Sequence, residues 1–152
     1  MKQKGFTLIE LIVVIAVIGI LAFTAVVSLS GIRERARDSR RMSDISAVQQ
    51  AMGMIYSENS DYTKAGCSTG AALSACASSA TGLLKTYLTT LANTKDQSGS
   101  TTLCSASLNP AQTCEYNFTA FNKNDFKLYF YLENGAGNLG AGMHYLSEAG
   151  IQ

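Results

Sequence analysis

The chain has 152 residues, a formal net charge of +1 and 15% charged residues. This length allows one membrane helix and one modest domain but not several domains. The lack of a basic excess argues against nucleic acid or an anionic surface as the main partner. The sparse charge suits either a subunit covered by copies of itself or a small, weakly charged extracellular domain.

The N-terminal region is predicted to form a long helix whose first half is apolar. Residues 11–23 carry no polar side chain, and about 20 apolar residues suffice to cross a bilayer. Lys2 and Lys4 precede this segment, which places the N-terminus in the cytoplasm under the positive-inside rule. We therefore predict a transmembrane helix over 6–28. A secretory signal peptide fits less well, because no small-x-small cleavage site follows the apolar core.

Glu10 is the charged residue within this apolar run, and it needs a partner. A charge at the centre of a membrane helix costs about 2.5–3.5 kcal/mol on insertion scales. Ionisable residues in such positions usually pair with another group and serve function rather than packing. A simple membrane anchor accounts for the rest of the segment but not for Glu10, which makes this residue the leading functional candidate.

The helix is predicted to continue to about Tyr56, with an amphipathic segment over 29–56. Apolar residues recur there at helical spacing, at Met42, Ile45, Val48, Met52 and Ile55. The segment begins with five arginines and two acids, Arg33, Arg35, Arg37, Arg40 and Arg41 with Glu34 and Asp38. We expect a solvated face with local ion pairs worth a few tenths of a kcal/mol each. Contact with lipid headgroups or a partner is the alternative.

Residues 57–113 form a long connection rich in Ser, Thr, Ala and Gly. Connections of this length are usually functional or mobile. Leucine and tyrosine residues recur at helical spacing within it, so we predict a short helix at about 81–92.

The remaining residues, 114–152, show the alternating pattern of β-strands. Alternation over 116–121 and over 126–132 flanks a polar turn and predicts a hairpin. A third short strand is predicted at about 143–146.

The two faces of the predicted hairpin differ in character. The apolar face of 126–132 should cover the apolar stripe of the helix, because neither element can hide that face alone. Tyr129 and Tyr131 lie on the other face, which should contact water or a neighbouring subunit. The predicted fold class is α+β, with one long N-terminal helix packed on a small antiparallel sheet.

All four cysteines, Cys67, Cys76, Cys104 and Cys114, follow the apolar helix and fall in the part predicted to lie outside the cell, where disulfides persist. Four cysteines allow three pairings. We favour Cys67–Cys76 and Cys104–Cys114, because each closes a short loop. A zinc site is disfavoured, because no two cysteines have the usual spacing and His144 is the sole histidine.

The run from Gly135 to Gly140 matches the G-x-G-x-x-G fingerprint of dinucleotide sites without its context. That fingerprint requires a helix directly after it, a further parallel strand and a distant acidic residue, none of which is predicted here. We predict a turn instead. With one histidine and no paired nucleophile and base, the sequence offers no catalytic constellation. Neither an enzyme nor a cofactor is predicted.

The segment Lys4-Gly5-Phe6-Thr7-Leu8-Ile9-Glu10 resembles the processing motif of type IV pilins and pseudopilins. The resemblance implies that residues 1–5 are a leader, which prepilin peptidase removes by cutting between Gly5 and Phe6. It also implies that Phe6 is then N-methylated and that Glu10 is the glutamate of the filament core. The chain departs from many pilins in one respect, since it has no proline late in the apolar segment.

This resemblance implies a pilin fold and a structural subunit that polymerises through its N-terminal helix. The expected filament is an extracellular type IV pilus-like fibre for adhesion, motility or uptake, and a major pilin is favoured. A pseudopilin of a type II secretion or DNA-uptake system is the first alternative. A membrane-anchored extracellular binding domain that never polymerises is the second. The expected partners are copies of itself, prepilin peptidase, the inner-membrane assembly machinery and, before assembly, the lipid bilayer.

Two further expectations follow from the resemblance. Cleavage creates a charged amine at Phe6, and Glu10 can pair with it, either within one helix or between neighbouring copies, where the pair would set the axial register. The major pseudopilins of type II secretion hold calcium in a C-terminal loop. Here that stretch offers Glu133, Asn134 and Asn138 but no cluster of the carboxylates that hard cations prefer, so no metal is predicted.

Overall fold

A computed structural model describes residues 6–109 and 112–152 of the chain, without the side chains of 25–30. The chain divides into two units, residues 1–34 and residues 35–152. Helix α1, Leu8–Asn59, contributes to both units. It begins two residues later and ends three residues later than the sequence pattern predicts. Within the described residues, no helix has both the length and the hydropathy that a membrane crossing requires.

The first unit exposes its apolar side chains to solvent. Thirteen large apolar residues between Phe6 and Phe23 are 49–87% exposed. A helix that is apolar on all sides is normally covered by a membrane or by other protein. This segment therefore has a surface that the chain alone does not cover.

The second unit has its core between helix α1 and one face of a sheet. The helical stripe is buried there as predicted, since Ile45, Val48, Met52 and Ile55 are each at most 1% exposed. They belong to one apolar cluster with the sheet residues Phe118, Phe126, Leu128 and Phe130. Full burial of each such side chain favours folding by about 1.5–3 kcal/mol.

The sheet has five strands in the order β1-β2-β3-β4-β5, all antiparallel. The strands are β1 Ala71–Ala72, β2 Asn117–Phe121, β3 Phe126–Leu132, β4 Gly142–Ser147 and β5 Gly150–Ile151. The α+β class and the three longer strands agree with the sequence analysis. The strands β1 and β5 were not predicted, because two residues are too few to show an alternating pattern.

Besides β1, the regular structure described in the connection between α1 and β2 consists of short helical turns. These are 3₁₀ turns at Tyr62–Ala65, Leu73–Ser78 and Leu91–Asn93, and one α-helical turn, α2, at Leu84–Tyr87. The predicted helix at 81–92 is thus broken in two, because Leu88 leaves the helical region at φ −119° and ψ 82°. Gly66 allows the connection to fold back on itself. It has φ +79°, and a Cβ there would lie 2.3 Å from the Cα of Gly82.

Both disulfides close short loops in the second unit. Cys67 bonds Cys76 and Cys104 bonds Cys114, across sequence separations of 9 and 10 residues. The second bridge packs on the outer face of the sheet with Tyr131, which is 7% exposed. The expectation that Tyr131 faces water or a neighbour is therefore wrong, because the loop closed by Cys104–Cys114 covers that ring.

We expect the purified protein to contain no reactive thiol before reduction. Labelling with a thiol reagent under denaturing conditions, followed by mass spectrometry, checks this directly. Reduction should lower the free energy of unfolding by about 2–3 kcal/mol for each bridge, because the unfolded chain regains the entropy of an open loop. Labelling of two or more cysteines without reductant would contradict the paired state.

Candidate functional site

Thr7 and Glu10 form a reciprocal cap at the start of helix α1. The carbonyl oxygen of Thr7 accepts the first helical hydrogen bond from Leu11 N at 3.4 Å, which makes Thr7 the N-cap residue. The Glu10 carboxylate accepts hydrogen bonds from Thr7 N at 2.9 Å and from Thr7 Oγ1 at 2.8 Å. Glu10 N donates in return to Thr7 Oγ1 at 3.4 Å. This arrangement is a capping box.

The cap gives Glu10 a local partner that the sequence analysis missed. Glu10 lies in the first turn of the helix, where a carboxylate also interacts favourably with the helix dipole. The spacing Thr-x-x-Glu before an apolar run was the signal that could have revealed it.

The residues expected at the processing site are placed as follows. Phe6 precedes the helix and is 87% exposed. Gly5 lies outside the described residues.

A second group of charged residues lies in the interior of the second unit, around Arg41. The side chain of Arg41 is 0% exposed. Its guanidinium donates to Asp38 Oδ1 at 2.7 Å, to both carboxylate oxygens of Asp96 at 2.5 and 3.0 Å, and contacts Glu133 Oε1 at 2.7 Å. Arg37 also binds Glu133, through Nε at 2.8 Å and through a second nitrogen. We call Arg37, Asp38, Arg41, Asp96 and Glu133 the ion cluster.

Asp38 extends the ion cluster to the backbone of the loop that follows β3. Its carboxylate accepts hydrogen bonds from Glu133 N at 3.0 Å, Asn134 N at 2.7 Å and Gly135 N at 3.1 Å. Three successive N–H groups that converge on one carboxylate fix the path of this loop. The ion cluster therefore joins helix α1, the long connection and the end of the sheet.

The protonation of the ion cluster follows from its geometry. Burial lowers the pKa of Arg41, but hydrogen bonds and charge from Asp96, Glu133 and Asp38 outweigh it and hold the pKa above its ordinary value. The hydrogen bond from Arg37 lowers the pKa of Glu133 despite partial burial. Both shifts favour the charged forms of Arg41 and Glu133, as is typical of a structural salt bridge.

The expectation of a solvated arginine face is wrong for part of the segment. Asp38 and Arg41 are both 0% exposed, and their partners Asp96 and Glu133 lie 55 or more residues away in sequence. Arg33 and Arg35 are exposed, as predicted. The spacing of the buried stripe, continued back from Ile45 by four and then by three residues, reaches Arg41 and Asp38, and this was the signal that could have identified them as buried.

The glycine motif after β3 forms a turn, as predicted. Ala136 and Leu139 exchange backbone hydrogen bonds of 3.0 and 3.1 Å. Gly135 has φ +91°, and a Cβ there would lie 2.4 Å from the Leu139 carbonyl oxygen. The glycine at this position therefore serves the closure of the turn.

Comparison with known proteins matches part of the chain. Residues 1–26 match the family described as the prokaryotic N-terminal methylation motif. The type II secretion system core protein G of Escherichia coli (strain K12) is 44% identical over 61 residues, which make up 40% of this chain and 42% of that protein. That of Aeromonas hydrophila is 43% identical over 61 residues, 40% of this chain and 43% of its own.

A pilin is also similar to the chain. The type IV major pilin protein PilA of Myxococcus xanthus (strain DK1622) is 36% identical over 62 residues, 41% of this chain and 28% of that protein. The chain thus spans less than half the length of these three relatives. No solved structure matches the chain.

Proposed function

We propose that the chain is a structural subunit of an extracellular filament, because it is similar in part to type II secretion core protein G and to a type IV pilin and carries the N-terminal methylation motif. The observation that carries the proposal is the exposed apolar surface of the first unit, where thirteen large side chains remain uncovered. Such a surface needs lipid before assembly and other copies of the chain afterwards. The subunit would be a single-pass protein of the cytoplasmic membrane that later leaves it for the filament.

In this proposal prepilin peptidase removes residues 1–5, and the inner-membrane assembly machinery adds the processed subunit to the filament. Cleavage leaves an amine on Phe6, next to the Thr7–Glu10 cap. The Glu10 carboxylate of one copy then pairs with the Phe6 amine of another, because two opposite charges in an apolar interior are tolerated only as a pair. The pair sets the axial register, as a buried polar residue does in a coiled coil.

We expect the mature protein to begin at Phe6 with a methylated amine. Mass spectrometry of the N-terminal peptide, taken from membranes and from surface material, measures both the cut and the methyl group. A strain without prepilin peptidase should retain residues 1–5. A mature chain that begins at Met1, or that is cut beyond Ala22, would overturn the assignment.

A pseudopilin is the second candidate, and the comparisons favour it through one observation. Identity to the type II secretion core protein G reaches 44%, against 36% for the pilin PilA. A pseudopilin of a secretion or DNA-uptake system would show the same processing at Phe6. Electron microscopy of material sheared from cells separates the two, with the subunit identified by mass. Long surface fibres at natural expression indicate a pilin, whereas their absence, together with a secretion defect on deletion, indicates a pseudopilin.

A further inference from the structure

The second unit carries a small cleft on the exposed side of helix α1. Its volume is about 200 Å³, and it lies between α1, the buried rings of Tyr62 and Phe126, and the turn between β4 and β5. The two rings are in edge contact at 4.8 Å. Sites for small-molecule ligands usually measure about 300–1,000 Å³, so this volume suits a single amino-acid side chain better.

Gly53 keeps the cleft open, and the fold itself does not require a glycine there. Glycine is the weakest helix former after proline. A Cβ on Gly53 would meet nothing within 4 Å, and its backbone is helical. An alanine would therefore fit without strain and would favour the helix. We therefore infer that glycine at position 53 leaves room in the cleft for a group that enters it.

The lining of the cleft suits a guanidinium group. Glu148 is exposed at the β4–β5 turn, and no hydrogen bond or ion pair joins its carboxylate to another described residue. Arginine binds carboxylates through paired hydrogen bonds. The rings of Tyr62 and Phe126 are 7% and 1% exposed and close the floor of the cleft, so the Glu148 carboxylate is the group that such a side chain would bind.

Two arginines of α1 have the chemistry that suits the cleft, but a chain cannot place its own arginines in its own cleft. Arg33 and Arg35 are exposed and make no hydrogen bond or ion pair with another described residue. Arg35 lies 18 residues before Gly53 on the same helix, about 27 Å along its axis at a rise of 1.5 Å per residue. That distance exceeds the length of an arginine side chain. Only a second copy can place such a residue in the cleft.

We propose that the cleft beside Gly53 receives Arg33 or Arg35 of a neighbouring copy of the chain. The inference rests on the proposed polymerisation and adds a specific contact to it. These arginines follow directly after the apolar segment that other copies would cover, so a polymer built through that segment brings them among neighbouring subunits. Lysines elsewhere on the surface lack both this position and the planar geometry that matches a carboxylate.

Zero-length cross-linking tests the contact in filaments of the full chain. In a chain carrying Arg33→Lys and Arg35→Lys, a carbodiimide should join Glu148 to one of these positions. Filaments mixed from isotopically heavy and light subunits should give about half of the cross-linked peptides as heavy–light pairs, which identifies contact between copies. Glu148→Gln should reduce this product at least tenfold. The contact is refuted if normal filaments form without a cross-link between Glu148 and position 33 or 35, or if Glu148 is joined only to other lysines. The proposed polymerisation would not be affected by that result.

Variants of the cleft provide an independent measure. Gly53→Leu should raise the melting temperature of the subunit, because leucine is the better helix former, yet lower the filament yield at least tenfold. Gly53→Ala is the matched control and should change the yield less than threefold. Glu148→Arg should also lower the yield, and combining it with Arg33→Glu and Arg35→Glu should restore it. Normal yield in Gly53→Leu overturns the contact, and absence of filaments from the unaltered chain overturns both this contact and the proposed function.

Discussion

Replacing Glu10 with alanine should lower the filament yield by about two to three powers of ten, while the subunit is still inserted, cleaved and accumulated. The change leaves the Phe6 amine of a neighbouring copy without an acceptor. Removal of one partner from a buried charge pair costs about 3–5 kcal/mol, and each 1.4 kcal/mol is about a tenfold change in an equilibrium constant. The measurement is the amount of surface filament relative to total cleaved subunit.

The Thr7–Glu10 cap supplies controls that separate two roles of Glu10. Glu10→Gln can keep the capping hydrogen bond to Thr7 N but loses the charge, so it should fail almost as severely as Glu10→Ala. Thr7→Val removes the hydroxyl contact yet leaves the carboxylate, and loss of a cap costs only about 1 kcal/mol. Its filament yield should remain within about tenfold of normal. Normal filaments from Glu10→Ala at normal subunit levels would show that Glu10 does not set the axial register. Cleaved subunit that accumulates without filaments in the unaltered chain would instead favour an anchored domain that does not polymerise.

Replacing Arg41 with methionine should lower the free energy of unfolding by about 3–5 kcal/mol, because Asp38, Asp96 and Glu133 would then have lost their buried cation. Methionine fills similar space, so the loss should reflect charge more than packing. Urea unfolding of the detergent-solubilised subunit, followed by tyrosine absorbance or near-ultraviolet circular dichroism, measures the change.

Arg40 offers a matched control one residue away. Its side chain is 61% exposed and pairs at 3.2 Å with Asp44, whose side chain is 9% exposed. Asp44 keeps the hydroxyl of Tyr116 as a donor when Arg40 is removed, so Arg40→Met should lower the free energy of unfolding by only about 1–2 kcal/mol. Equal effects of the two substitutions would show that the ion cluster contributes no more to the free energy of unfolding than the Arg40–Asp44 pair does.

The elements that the sequence predicts well are those whose pattern repeats along the chain. The stripe through Ile45, Val48 and Ile55 repeats over several helical turns, and β3 alternates over seven residues. Such repeats reflect one buried face of one element, and local spacing is enough to reveal them. For the same reason the hairpin of β2 and β3 follows from its residues alone.

The features that the sequence does not reveal depend on partners far along the chain. The spacing of the buried stripe reaches back to Arg41 and Asp38, but the carboxylates that pair with Arg41 there, Asp96 and Glu133, are found only in the fold. Tyr131 looks solvent-facing until the Cys104–Cys114 loop covers it. The Thr7–Glu10 cap is different, because the Thr-x-x-Glu spacing of a capping box is visible in the sequence but was not interpreted as one.

The long reach of the ion cluster determines when the second unit can acquire its native structure. Asp38 and the N–H groups it accepts from are 95–97 residues apart, and contacts of high sequence separation form late because a long loop must close first. During synthesis Arg41 is made early, but Glu133 follows only after most of the chain has emerged. A nascent or truncated chain that ends before Glu133 can pair Arg41 with Asp96 but leaves Asp38 without its three backbone donors, and such chains should remain substrates for proteolytic quality control.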